Sequence, residues 1–267
     1  MKTVENNGYY TVITGASSGI GKAFAEERAG RGNNLLLVSL PETGLPELAE
    51  KLRNKHGIAV DYLCLDLMKP GAPEKIWEYT LEKQLPVDFL INNAGKGYDG
   101  GIDKYSREEI DEMITLNIHV LTYLTRLFIP ELKKRKRSYI LNVSSFGAFM
   151  PSAYKSVYLA SKSYVYYFSE ALRSELNGGP VRVSTLMPSG VLTNGEVKAR
   201  IRKAGLLGRA SALRPDEVAR YTLNKMESRS GIIIPGKISR SFLLTFGLLP
   251  SFLVMNLIKK VLKDKEG

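Results

Sequence analysis

Thr14-Gly15-Ala16-Ser17-Ser18-Gly19-Ile20-Gly21 follows directly on an apolar run, Tyr9–Thr14, and opens a stretch of helical spacing, Gly19–Ala29. A strand that turns at once into a helix needs glycine for three reasons: the tight turn, the close approach of an anion to the backbone, and the close packing of helix on strand. Free N–H groups in the first helical turn point at the same place, and the helix dipole adds positive potential there. Ser17 and Ser18 add hydroxyl donors. The stretch therefore reads as the cradle of a dinucleotide pyrophosphate, with Gly15, Ser17, Ser18, Gly19, Ile20 and Gly21 as contacts.

Outward from this turn the pattern is strand, turn, helix, repeated. Asn34–Ser39 is an unbroken apolar run, as in a strand covered on both faces. The spacing predicts a helix over Leu45–His56, a strand over Val60–Leu65, a helix over Pro73–Lys83 and a strand over Val87–Ile91. Arg107–Lys136 carries helical periodicity with a break near its start. Tyr139–Val143 and Val181–Met187 read as strands flanking a helix, Ser156–Leu176. Helices at Glu196–Ala204 and Pro215–Glu227 precede a last strand, Gly231–Ile234. Seven strands alternating with helices indicate an α/β fold, a doubly wound parallel sheet in a single domain. The expected division is a catalytic domain over residues 1–236 and a C-terminal apolar helical extension over 237–267.

The 267 residues suit one such domain. The single cysteine, Cys64, excludes an intramolecular disulfide, and its apolar neighbours predict a buried, inert thiol. The absence of a disulfide and of a signal-peptide pattern suggests a reducing, cytoplasmic setting. Net charge is +11, and residues 191–267 hold fifteen Lys and Arg against six Asp and Glu. That basic third can attract anionic lipid or an acidic carrier protein. Nucleic acid is not expected, because no recognition-helix, zinc-knuckle or RNA-binding pattern is present. His56 and His119 stand apart and no Cys/His cluster exists, so no catalytic metal is expected.

Tyr158-Leu159-Ala160-Ser161-Lys162 places a phenol and an ammonium on successive turns of one helix. A free phenol, with a pKa of roughly 10, is a poor base at neutral pH. A nearby cation favours its phenolate, so the pair can give or take a proton as an alcohol and a carbonyl interconvert. Tyr154 has no lysine four residues on. Ser145 ends the strand Tyr139–Val143, where open α/β sheets place ligands. Ser144 competes with it, because neighbours along a strand point to opposite faces.

These motifs together resemble the short-chain dehydrogenase/reductase family over residues 8–236. The glycine turn matches residues 14–21, and Asn92-Asn93-Ala94-Gly95 matches the family's signature after the fourth strand. The resemblance implies a Rossmann-type sheet and an NAD(P)(H) cofactor. It implies Tyr158 as proton donor in reduction, with Lys162 lowering the phenol pKa and bonding the nicotinamide ribose. Ser145 would orient the substrate oxygen, and Asn117 would hold a water linking Lys162 to solvent. Asp66 and Leu67 would meet the adenine, and Asn93, Ala94 and Gly95 would line the cofactor. Pro188, Val191 and Thr193 match the Pro-Gly loop, in which Ser189 replaces the usual glycine. A homodimer or homotetramer through the Asn117 and Tyr158 helices is also implied.

The second strand ends Val38-Ser39-Leu40-Pro41. An acid there would select NAD(H) and an arginine NADP(H). Neither is present, but Ser39 can donate to a 2′-phosphate, so NADP(H) is favoured over NAD(H). Lys133-Lys134-Arg135-Lys136-Arg137 reads as a solvated cap at a helix end. Ser241–Ile258 is eighteen residues without a charge, interrupted by Gly247 and Pro250. Two short amphipathic helices are expected there, forming a lid, a subunit contact or a peripheral membrane contact, with a single span a further reading. An apolar roof implies an apolar pocket. The expected activity is hydride transfer between nicotinamide and a carbonyl or secondary alcohol on an apolar or lipid-like substrate. Alternatives are a 3-oxoacyl-carrier-protein reductase and a non-catalytic dinucleotide-sensing module.

Overall fold

The computed structural model describes residues 8–193 and 212–246. Its strands are β1 (Tyr10–Thr14), β2 (Asn34–Ser39), β3 (Val60–Cys64), β4 (Val87–Asn92), β5 (Ser138–Val143), β6 (Val181–Leu186) and β7 (Gly231–Ile233). They form one seven-stranded sheet in the order β3-β2-β1-β4-β5-β6-β7, parallel at every pairing. The chain winds outward from β1 to β3, then restarts at β4 on the other side of β1. Loops leaving β1 and β4 therefore diverge and open a crevice at the carboxyl ends of the strands.

Helices cover both faces: α1 (Gly19–Gly30), α2 (Leu45–His56), α3 (Ala72–Glu82), α4 (Arg107–Ile114), α5 (Leu121–Leu132), α6 (Ser156–Glu175), α7 (Pro215–Ser228) and α8 (Lys237–Phe246). Ile13, Leu35, Leu37 and Ile91 face one side and pack with Phe24 of α1, Leu48 of α2 and Leu223 of α7. Val12, Leu36, Val38 and Leu90 face the other and pack with Ile76 of α3, Phe128 of α5 and Leu172 of α6. Alternate residues of one strand thus feed two cores, which is why β2 is apolar throughout. Each such side chain, fully buried, stabilises by about 1.5–3 kcal/mol.

Three expectations need correction. Cys64 is exposed rather than buried, because β3 is an edge strand whose residues alternate between cover and solvent. The long helix is three pieces, α4 and α5 joined by a wider π turn over Thr115–Val120, and it stops at Leu132. The basic run after it is not wholly solvated, since Arg135 is turned inward and donates from Nε to the Val87 carbonyl at 3.1 Å. α8 begins at Lys237, before the uncharged run starts. The helix expected at Glu196–Ala204 and the run from Gly247 onward lie outside the described residues. Among the described residues no helix is long and apolar enough to cross a membrane.

Candidate active site

The glycine turn forms the floor of the crevice. Gly15 and Gly19 take φ of 65° and 54°, a region that favours glycine. A Cβ on Gly21 would lie 2.1 Å from the Gly15 carbonyl oxygen, so helix and turn can touch only without one. α1 starts with no side-chain cap bond at Ser18 and no acid in its first turn. Its N–H groups and dipole are left for an anion. Ile20 packs its side chain against the core, leaving the turn's backbone to face outward.

The walls are tied across the switch in strand order. Thr14 Oγ1 accepts from the backbone N–H groups of Asn93 and Ala94, both at 3.0 Å. Asn93 Nδ2 donates to the Thr14 and Gly15 carbonyls at 2.9 and 3.2 Å. The Asn93 side chain is thus a strut under the turn, while Ala94 and Gly95 carry the chain along the crevice. Thr193 closes over the turn: a Cβ on Gly19 would lie 3.0 Å from its Cγ2. Val191 is held by a bridge to Leu213, and the Pro188 carbonyl accepts from Phe146 N at 2.9 Å. A turn that excludes Cβ atoms and a helix start free of acid and cap fit a dinucleotide.

At the next strand ends, the Ser17 and Ser39 hydroxyls bond each other at 2.7 Å, and Thr43 Oγ1 donates to Ser39 Oγ at 3.4 Å. Leu40 beside them is 52% exposed. Asp66 Oδ1 accepts from Met68 N at 2.9 Å, which fixes the turn after β3. Leu67, next to it, packs its side chain in the second core, so its backbone is the part left for a cofactor contact.

Tyr158 and Lys162 occupy successive turns of α6. Tyr158 is half-buried. Lys162 is 5% exposed, and its Nζ donates to the Val143 carbonyl at 3.1 Å and lies 6.0 Å from the centre of the Tyr158 ring. Burial pulls its ammonium down to about 8. A Cβ on Gly95 would come within 2.5 Å of Asn117 Oδ1 and 3.1 Å of Lys162 Nζ, so these three residues converge. Asn117 lies in the π turn, where the extra backbone length turns its side chain inward. Its Oδ1 accepts from Lys96 N at 3.0 Å, and its Nδ2 donates to the Lys96 carbonyl at 2.9 Å and Ser161 Oγ at 2.8 Å.

Alternation after β5 separates the two serines. Ser144 is buried and its Oγ donates to the Lys162 carbonyl at 2.6 Å, so it anchors α6. Ser145 faces the other way, and its Oγ accepts from Gly147 N at 3.2 Å. Tyr154 is 42% exposed in the loop before α6, with φ 63°. Its carbonyl accepts from Gly100 N at 2.7 Å and Tyr105 Oη at 3.2 Å.

Two residues escaped sequence reasoning. A Cβ on Gly97 would lie 2.5 Å from Tyr158 Cδ2, and one on Gly147 would lie 2.7 Å from Leu159 Cδ2. Gly97 lets its loop lie against the ring of Tyr158, and Gly147 lets the Ser145 turn lie on α6. The one hint was the glycine density of residues 95–101. That loop is strapped down by Lys155–Asp99 and Lys96–Glu112 ion pairs, at 2.7 and 3.0 Å. Tyr158 and Lys162 thus lie together beside the loop after β4, whose Asn93 braces the glycine turn, and a phenol beside an ammonium is a pair able to move one proton to or from a polarised oxygen.

A family model described as short chain dehydrogenase matches residues 10–204. The very-long-chain 3-oxoacyl-CoA reductase of Kluyveromyces lactis is 33% identical over 240 residues, covering 85% of this chain. This chain spans 66% of that relative's length. The very-long-chain 3-oxoacyl-CoA reductase of Anas platyrhynchos is 30% identical over 264 residues, 96% of this chain and 81% of its own. A solved short-chain dehydrogenase from Sphingobium yanoikuyae, in complex with NADPH, is 33% identical with a TM-score of 0.76. That match covers 86% of this chain and 88% of the other.

Proposed function

Because this chain belongs to the short-chain dehydrogenase family of NAD(P)-dependent oxidoreductases, we propose that it reduces the ketone of a long-chain 3-oxoacyl thioester with NADPH. The observation that carries this reading is the convergence of buried Lys162 and Asn117 on the Gly95 backbone, one turn from Tyr158 and beside the glycine cradle. The nicotinamide, when bound, supplies the hydride. Tyr158 gives its phenolic proton to the oxygen on which negative charge develops. Ser145 donates a hydrogen bond to that same oxygen and holds the ketone in place. Lys162 sets positive charge under the phenol, and Asn117 holds Lys96 and Ser161 so that the floor beneath Lys162 does not shift.

The acyl-CoA class is supported by the names of the two relatives and by the uncharged run Ser241–Ile258. NADPH is favoured because no acid ends β2, and because the relative from Sphingobium yanoikuyae binds it. Exposed Tyr123 on α5 and Tyr167 on α6 support assembly of two copies through these helices.

The test is loss of NADPH absorbance with 3-oxoacyl-CoA thioesters of increasing chain length, a 3-oxoacyl carrier protein and simple ketones. kcat/KM is expected to rise with acyl length. Tyr158→Phe is expected to keep NADPH binding and lose roughly 10²–10⁴-fold in kcat. Tight dinucleotide binding with no turnover of any of these would identify a sensing module instead, and wild-type turnover in Tyr158→Phe would remove the phenol from the mechanism.

A further inference from the structure

A second cavity lies on the outer edge of β7, between the end of α7 and the start of α8, and none of the crevice residues lines it. Its volume is about 270 Å³, room for a phosphate group and its ester substituent. Lys225, Arg229 and Arg240 line it, and among the described residues no carboxylate does. Lys225 Nζ lies 5.9 Å and the Arg240 guanidinium 5.5 Å from the centre of one ring, that of Tyr221. Arg240 Nη1 also donates to Tyr221 Oη at 3.0 Å. Among the described residues, Glu227, two positions after Lys225, is paired with Arg31.

Two cations drawn to one ring repel each other, and an anion between them removes that repulsion. The cavity's remaining wall includes Ile232 and Ile234, which suit the apolar part of an amphiphile better than a free ion. α8 starts at this cavity and carries the first residues of Ser241–Ile258, eighteen residues without a charge, followed in sequence by Lys259-Lys260. Along the sequence, the cavity's Arg240 is followed at once by the apolar run and then by Lys259-Lys260, a composition that suits contact with both phosphate and hydrocarbon.

We propose that the Lys225–Arg229–Arg240 cavity binds the phosphate of an anionic lipid headgroup and docks this edge of the sheet on an anionic membrane surface. The inference does not rest on the acyl-thioester reading, since it uses no residue of the crevice.

Co-sedimentation with vesicles tests it, using phosphatidylcholine alone and phosphatidylcholine mixed with phosphatidic acid. The full chain is expected to bind the mixed vesicles and to release them as salt rises. A basic residue near an anionic surface is worth roughly fivefold in partitioning. The triple variant Lys225→Gln/Arg229→Gln/Arg240→Gln is therefore expected to lose on the order of 10²-fold in binding, while NADPH turnover with a water-soluble ketone stays at the wild-type level and reports intact folding. Equal binding of the mixed vesicles by variant and wild type would overturn the proposal. So would equal binding of both vesicle types by the wild type, which would leave the apolar run alone responsible. Thermal stabilisation by inorganic phosphate, lost in the variant and unaccompanied by any preference for phosphatidic acid, would make the cavity a free-anion site and refute the membrane assignment.

Discussion

Gly97→Ala separates positioning of the phenol from its chemistry. The added methyl would sit 2.5, 2.7 and 3.1 Å from Tyr158 Cδ2, Cε2 and Cγ. Carbon atoms rest at about 3.5–4.0 Å, so ring or loop must yield by about 1 Å. The loop is held by Gly100 N to the Tyr154 carbonyl at 2.7 Å and by Lys155 to Asp99 at 2.7 Å, so the ring is the part that moves. Overpacking of this kind costs about 1–3 kcal/mol, and a 1 Å error at a reacting group costs on the order of 10²-fold in rate. The expected result is a 10- to 100-fold fall in kcat, with NADPH affinity within about threefold of wild type. The assay is steady-state turnover alongside fluorescence titration of NADPH, repeated in the Tyr158→Phe background. There Gly97→Ala should change the residual rate little, because the group it misplaces is gone. A kcat within twofold of wild type, or an equal loss in both backgrounds, refutes the reasoning.

Gly21→Ala places a Cβ 2.1 Å from the Gly15 carbonyl oxygen, so isothermal titration should show at least a tenfold loss of dinucleotide affinity together with a lowered Tm. Ser144→Ala removes a buried 2.6 Å bond to the Lys162 carbonyl and should cost about 1–3 kcal/mol in urea unfolding, whereas Ser145→Ala should leave unfolding nearly unchanged and lower kcat. Burial, opposed by Arg28, raises Asp88 from 3.8 to about 6, and among the described residues its Oδ1 has no hydrogen-bond partner. The folded state therefore holds that proton more tightly than the unfolded chain, and stability from this group falls as pH rises from about 4 through about 6, by on the order of 2–3 kcal/mol. Asp88→Asn should flatten that part of a pH series of denaturant midpoints; an unchanged slope would place the titrating group elsewhere.

The fold was legible because its signals are short-range. The glycine turn at residues 14–21, the apolar runs at Asn34–Ser39 and Val87–Ile91, and the Tyr158–Lys162 spacing each lie within one or two turns of chain, where local geometry alone sets which way a side chain points. The break near Asn117 showed as a weak helix former in a helical stretch, but the partners its inward-turned side chain meets, Lys96 and Ser161, come from other elements. Other features rest on partners far apart in sequence. Cys64 is exposed because its strand ends up at the sheet edge, and the Leu67 side chain is buried because Ile76 of α3 packs in the same core. That Ser144 is the serine anchored to α6 depended on which side of β5 received that helix. Asn93 became a strut because β4 lies beside β1, and Gly97 has no room for a Cβ because its loop returns to Tyr158. Local spacing determined which chemical groups this protein carries and on which elements. The packing of those elements decided which groups meet, because a contact across sixty residues is set by the whole sheet rather than by the dihedral angles of its neighbours.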